Sequence, residues 1–171
     1  TRYRSSAASD VYKRQAVQRV LWSRTPRFVL ADEVGLGKTI EAGLILQALM
    51  ATNPDLSVLI LTPGAMTRQW LGEIYLRFGS RAFTMAKSPA DATREQVIVS
   101  ASQVAQAPTR WSRLAEKRWG MVIIDEAHQF PPGHPLYDLF HQIACNCDGI
   151  LVLSATPVSY THLRAHETVR N

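Results

Sequence analysis

Residues 28–39 read FVLADEVGLGKT. Four apolar positions lead into a loop with two glycines, and Lys-Thr then opens an apolar helical pattern. Gly35 and Gly37 can adopt positive φ and let the backbone approach a bound group closely. Such a loop turns its N–H groups, together with the N-terminus of the next helix, toward an anion. Lys38 is placed to reach the β and γ phosphates of a nucleotide, and the Thr39 hydroxyl to coordinate Mg²⁺. The usual pattern has Gly five residues before Gly37; Asp32 stands there instead. The bland alternative, a Gly-rich turn, is disfavoured by the strand and helix on either side.

Working outward, 28–31 is a first strand. Residues 39–50 form a helix with only Glu41 and Gln47 polar after Thr39, and so buried on most sides. Residues 57–62, SVLILT, read as a strand covered on both faces, the kind found in parallel sheets. A helix over 65–78 follows, with Met66, Trp70, Leu71, Ile74 and Phe78 on one stripe and Gly79 ending it. A short strand at 82–85, a strand at 96–100, and one or two short helices over 101–118 broken at Pro108 come next. A core strand at 121–125, a helix carrying Leu136, Leu139, Phe140 and Ile143, and a last strand at 149–154 complete the series. This alternation predicts an α/β domain: a mostly parallel sheet with helices on both faces. Functional residues then belong at the carboxyl ends of strands, where Asp32, Thr62, Ser100, Asp125 and Ser154 fall.

Two of those ends carry chemistry. Residues 122–128, VIIDEAH, place two acids at the end of an apolar strand. Asp125 can hold a metal directly or through water, and Glu126 can orient and deprotonate an attacking water. Residues 153–157, LSATP, end another strand. Ser154 and Thr156 are small hydroxyl residues able to bridge the acid pair and a second site by hydrogen bonds.

The chain has 171 residues with 46% apolar content, enough for one domain with a sizeable core. No apolar run reaches the ~18 residues of a membrane span, and no secretory signal is visible. Cys145 and Cys147 are too few for a disulfide framework; with His134 and His141 nearby a metal site is conceivable, but reduced thiols are the simpler reading. The formal charge of +5 is poor support for nucleic-acid binding, because it sits at the ends. The first fifteen residues hold four basic side chains against one acid, and the last fourteen hold two against one, leaving a single excess positive charge between. Those ends, 1–15 (TRYRSSAASDVYKRQ) and 158–171 (VSYTHLRAHETVRN), lack a usable hydrophobic period and resemble translated adapter sequence. They are expected to be foreign to a domain spanning 16–157.

DEVGLGKT, TPGAMTRQW, DEAH and SATP, in this order, resemble motifs I, Ia, II and III of superfamily-two helicases. Asp32 and Glu33 in motif I are similar to the SWI/SNF-type branch. LADEVGLGKTIEAGLI with TPGAMTRQWLGEIYLRF resembles its bacterial RapA-like, RNA-polymerase-associated members. The resemblance implies a RecA-like P-loop lobe. It implies ATP phosphates and Mg²⁺ bound along Asp32, Glu33, Val34, Gly35, Leu36, Gly37, Lys38 and Thr39. Catalytic roles fall to Lys38, Asp125 and Glu126, with Asp125 and Thr39 on Mg²⁺. His128, Ser154 and Thr156 would couple hydrolysis to nucleic-acid engagement, while Thr62, Pro63, Arg68 and Gln69 would meet the backbone of duplex DNA. Ser100 and Ser102 fall at the next backbone-contact motif, although a simple strand end explains them as well. RNA polymerase is an implied partner, and a bacterial cytoplasmic location is implied. A second RecA-like lobe with its arginine is expected in a longer parent protein, a DNA-dependent ATPase and translocase. The 171-residue chain alone is expected to bind ATP and turn it over poorly. The alternatives are the motor lobe of a DEAH-type defence or restriction helicase, which separates strands, and a non-catalytic nucleotide-binding fragment.

Overall fold

The computed structural model describes residues 18, 23, 26–31, 37–154 and 167–170. Among the described residues seven parallel strands form one sheet: β1 (Arg27–Ala31), β2 (Val58–Thr62), β3 (Thr84–Met85), β4 (Gln96–Ser100), β5 (Trp119–Ile124), β6 (Cys147–Ser154) and β7 (Glu167–Arg170). Their spatial order is β3-β4-β2-β5-β6-β1-β7. The helices with described bounds are α1 (Gly37–Thr52), α2 (Thr67–Phe78), α3 (Ala101–Gln106), α4 (Arg113–Glu116) and α5 (Tyr137–Cys145). The α/β fold expected from the alternation is therefore present.

Strand alternation builds two cores. Val58 and Ile60 of β2 face one side with Met121, Ile123, Leu151 and Leu153. Leu59 and Leu61 face the other with Val122, Ile124, Ile150 and Val152. The first side is covered by Ala42, Ile45 and Leu46 of α1 and by Trp70 and Ile74 of α2. The second is covered by Val104 of α3, Leu114 of α4 and Phe140 and Ile143 of α5. Connections that step toward β3 thus carry their helices on one face and those that step back carry them on the other, as right-handed crossovers require.

α1 and α2 pack tightly because Gly43 has no side chain: a Cβ there would collide with the Phe78 ring. α2 stops where the sequence says it should. Gly79 takes φ 65°, and its N–H donates to the Tyr75 carbonyl. The central strands start earlier than their apolar runs suggest. β5 begins at Trp119 and β6 at Cys147, and these two residues pair. The Trp119 indole donates to the Leu114 carbonyl at 2.8 Å, so a residue outside the aliphatic run is still held as strand. β3 is only two residues long, shorter than the expected 82–85. Residues 167–170, inside the segment read as foreign, lie as an edge strand beside β1.

Candidate nucleotide site and adjoining groove

Asp125 follows the last residue of β5 and is 2% exposed. Its backbone N–H donates to the Leu61 carbonyl at 2.8 Å, so the β2–β5 ladder carries it to the carboxyl end of the central strands. Its carboxylate is held from two sides. Oδ1 accepts from the Glu126 backbone N–H at 2.9 Å, and Oδ2 accepts from the Trp70 indole N–H at 2.7 Å. Burial nevertheless pushes the carboxyl above the usual carboxylate value. The Trp70 hydrogen bond opposes that shift, the Glu126 charge adds to it, and the Glu126 N–H and the Lys38 charge oppose it.

Lys38 and Thr39 occupy the first turn of α1, and both are buried. The loop that precedes them, Asp32 to Leu36, lies outside the described residues, as does Thr156. Ser154 is fully buried at the end of β6, in register with Ala31 at the end of β1. Since β6 lies between β5 and β1, Ser154 stands between the acid pair and the start of the phosphate-loop stretch.

Glu126 has φ 48°, the one positive φ on a non-glycine among the described residues. The left-handed conformation costs a side-chain-bearing residue on the order of 1 kcal/mol. It turns the chain sharply off β5 into the short turn Ala127–Gln129. Glu126 Oε2 is buried without a hydrogen bond of good geometry, although His128 Nδ1 lies 3.2 Å away. An ionisable oxygen left this way beside a buried carboxylate suits a ligand rather than the fold itself. The donors here, Thr39 hydroxyl and Asp125 carboxylate, are hard oxygens of the kind Mg²⁺ takes when phosphates complete its shell.

A groove of about 400 Å³ runs along the carboxyl ends of β2 and β4, bordered by Gly64, Thr67, Arg68, Met85, Ser100 and Gln103. Gly64 is part of its floor; a Cβ there would come within 3.1 Å of both Ser100 Oγ and Ser102 Oγ. Arg68 and Gln69 are exposed in the first turn of α2, and Pro63 is half-buried. Thr62 lies beneath, fully buried, with its hydroxyl 3.5 Å from the Pro63 carbonyl. Ser100 also caps α3, accepting from the Gln103 N–H at 3.4 Å. The two cysteines differ: Cys145 is exposed, its sulfur 3.9 Å from the His141 ring. Cys147 is buried, with burial pushing its thiol up to about 11.

The sequence profile described as SNF2-related domain matches residues 12–165. The chain belongs to that family. This SNF2-related domain is similar to the RNA polymerase-associated protein RapA of Yersinia pestis (strain Pestoides F) and of Yersinia pseudotuberculosis (serotype O:1b, strain IP 31758). Each is 36% identical over 147 residues, covering 77% of this chain and 15% of that protein. The chain therefore spans about 15% of the length of these curated relatives. Among solved structures it resembles the Sulfolobus solfataricus SWI2/SNF2 ATPase core in complex with dsDNA. There the TM-score is 0.72 at 20% identity, covering 89% of this chain and 33% of that one. It also resembles the UvsW helicase from bacteriophage T4, with TM-score 0.67 and 20% identity over 94% of this chain and 59% of that one. The chain is thus an SNF2-related domain similar to part of RapA, with the fold of the solved SWI2/SNF2 core and of UvsW.

The motif string TPGAMTRQW ends on Trp70 but does not reveal the hydrogen bond of Trp70 to Asp125. Trp70 belongs to the apolar stripe of α2, and the stripe alone accounts for its burial. The signal was its type: a buried indole requires an acceptor, and the neighbouring strand end supplies a carboxylate.

Proposed function

We propose that this domain binds Mg²⁺–ATP and is the first motor lobe of a DNA-dependent ATPase and translocase. The carrying observation is that the buried Asp125 carboxylate, hydrogen-bonded by the Trp70 indole and the Glu126 N–H, stands beside Glu126, whose buried Oε2 keeps no well-aligned partner. Lys38 would balance the β and γ phosphates. Asp32 to Gly37 would wrap them with backbone N–H groups. Thr39 and Asp125 would hold Mg²⁺, which neutralises charge on the phosphates when bound. Glu126 would orient the attacking water and take its proton, with His128 beside it. Ser154 and Thr156 would carry the state of the site toward the rest of a longer protein.

The groove beside Arg68 suits a phosphodiester backbone, with Arg68, Gln69 and the Pro63 backbone facing it and Thr62 supporting them from below. The RapA relatives, named for association with RNA polymerase, support RNA polymerase as a partner and a bacterial cytoplasmic setting. Among the described residues no helix is long and apolar enough to cross a membrane. In related phosphoryl-transfer enzymes an arginine supplied from elsewhere is worth ~10³–10⁵ in rate, and here it would belong to a second lobe. The 171-residue chain by itself should therefore bind ATP and hydrolyse it slowly. We also read residues 1–15 and 158–171 as foreign to the domain.

The test is equilibrium binding of a fluorescent ATP analogue with Mg²⁺ to the 171-residue chain. Binding is expected, and Lys38→Ala should abolish it. Equal affinity in the variant would refute the reading, and brisk turnover by the isolated chain would refute its dependence on a second lobe.

A further inference from the structure

We propose that Trp70 is a positioning residue for the metal: its indole N–H fixes Asp125 Oδ2 so that the carboxylate presents its remaining lone pairs to Mg²⁺. The inference rests on the Mg²⁺–ATP reading of the site. Three bonds define where Asp125 sits. The Leu61 carbonyl fixes its backbone, the Glu126 N–H fixes Oδ1 and the Trp70 indole fixes Oδ2. The first two come from the β2–β5 ladder and the residue next in sequence. The third comes from outside the sheet, from helix α2, 55 positions away in the chain.

That element is well anchored. Trp70 is 1% exposed and packs in the core on the α1 and α2 side of the sheet. An indole N–H is a donor only, so the bond has one polarity and requires the carboxylate oxygen as acceptor. At 2.7 Å between an indole and a carboxylate in a buried setting it is a charge-assisted bond. It leaves each Asp125 oxygen with a lone pair unused, which a metal ligand needs. Groups that hold a metal-binding side chain from behind set its orientation, and their loss costs roughly 10–100-fold in metal affinity.

The same turn of α2 also carries Arg68 at the groove, and the Thr67 hydroxyl donates to the Gly64 carbonyl at 3.1 Å. Trp70 therefore ties the metal-binding acid to the helix that borders the groove.

The experiment measures affinity for the fluorescent ATP analogue in Mg²⁺ and in EDTA, for the wild-type chain and for Trp70→Phe. Phe keeps an aromatic ring in the core and removes the donor. The Mg²⁺-dependent gain in affinity should fall about tenfold while metal-free affinity is kept. Equal loss with and without metal would mean that Trp70 only supports the fold, and an unchanged gain would mean that it does not orient Asp125; either overturns the proposal. A second measurement does not need the variant to fold. In proton NMR of the wild-type chain the Trp70 indole N–H should shift on addition of Mg²⁺ and nucleotide, and no shift at saturation overturns the proposal. Failure of the wild-type chain to bind nucleotide at all is a different result: it removes the site reading beneath the inference.

Discussion

Asp91 and Asp125 are both carboxylates held by hydrogen bonds, and the environment moves them in opposite directions. Asp91 sits in the exposed turn Pro89–Thr93, accepting from the Lys87 and Ser88 N–H groups at 3.0 and 3.1 Å and from Arg94 Nε at 2.9 Å. The Arg94 bond, then the two backbone bonds, lower its carboxyl to about 2. Asp125 has two donors and a lysine charge nearby, yet burial outweighs them and raises it. Asp91 has what it requires within its own turn. Asp125 has been taken out of water with too few partners, and a cation would supply what is missing. One acid serves the fold; the other is maintained at a cost to the fold.

The difference can be broken most forcefully at Asp125. Asp125→Asn should lower Mg²⁺-dependent nucleotide affinity by about 100-fold or more, since even outer partners of a metal ligand are worth 10–100-fold. Its thermal midpoint without nucleotide should hold or rise, because a buried charge is removed. A binding titration and a melt on the same sample check both; a large drop in melting temperature would place Asp125 with Asp91.

The pH dependence separates the two acids by sign. A raised folded-state value means that the folded chain holds the Asp125 proton more tightly than the unfolded chain. Its contribution therefore weakens stability as pH rises from the ordinary value of 3.8 through the higher folded one. Asp91 does the reverse: its contribution is present above 3.8 and is lost as pH falls toward about 2. Urea melts across that range should show Asp125→Asn flattening the decline above pH 3.8 and Asp91→Ala flattening the loss below it.

At neutral pH Asp91→Ala should cost about 0.5–1 kcal/mol, the range of an exposed cap, and leave nucleotide affinity unchanged. Denaturant unfolding reads the first and the binding titration the second. The smallest effect belongs to residues 158–171, read as foreign. Deleting them should shift the melting temperature by only a few degrees and leave binding intact, even though 167–170 lie beside β1.

The parts of this account legible in the sequence are those with a local signature. Two-face burial in VLILT, the strand QVIVS, the glycine after Phe78, and two acids closing an apolar strand each follow from a few neighbouring residues. Strand starts were less legible because Trp119 and Cys147 lie outside the aliphatic runs and are recruited by pairing with each other. The Trp70–Asp125 bond was not legible, since nothing local says that an indole on α2 meets the end of β5. The left-handed Glu126 was equally hidden: its strain is imposed by the turn off β5 and by no residue pattern. Thr62 shows the converse, a position that the motif marks for contact but that lies fully buried beneath the groove.

The central claim is that Lys38, Thr39 and Asp125 surround one metal-bound nucleotide. Paramagnetic broadening tests it directly, with Mn²⁺ in place of Mg²⁺ and a non-hydrolysable ATP analogue bound. The Trp70 indole N–H, bonded to Asp125, should broaden strongly. The Trp119 indole, at the opposite end of β5 and about 20 Å along the strand, should stay sharp. Broadening of Trp119 with Trp70 unaffected would place the metal elsewhere and contradict the account.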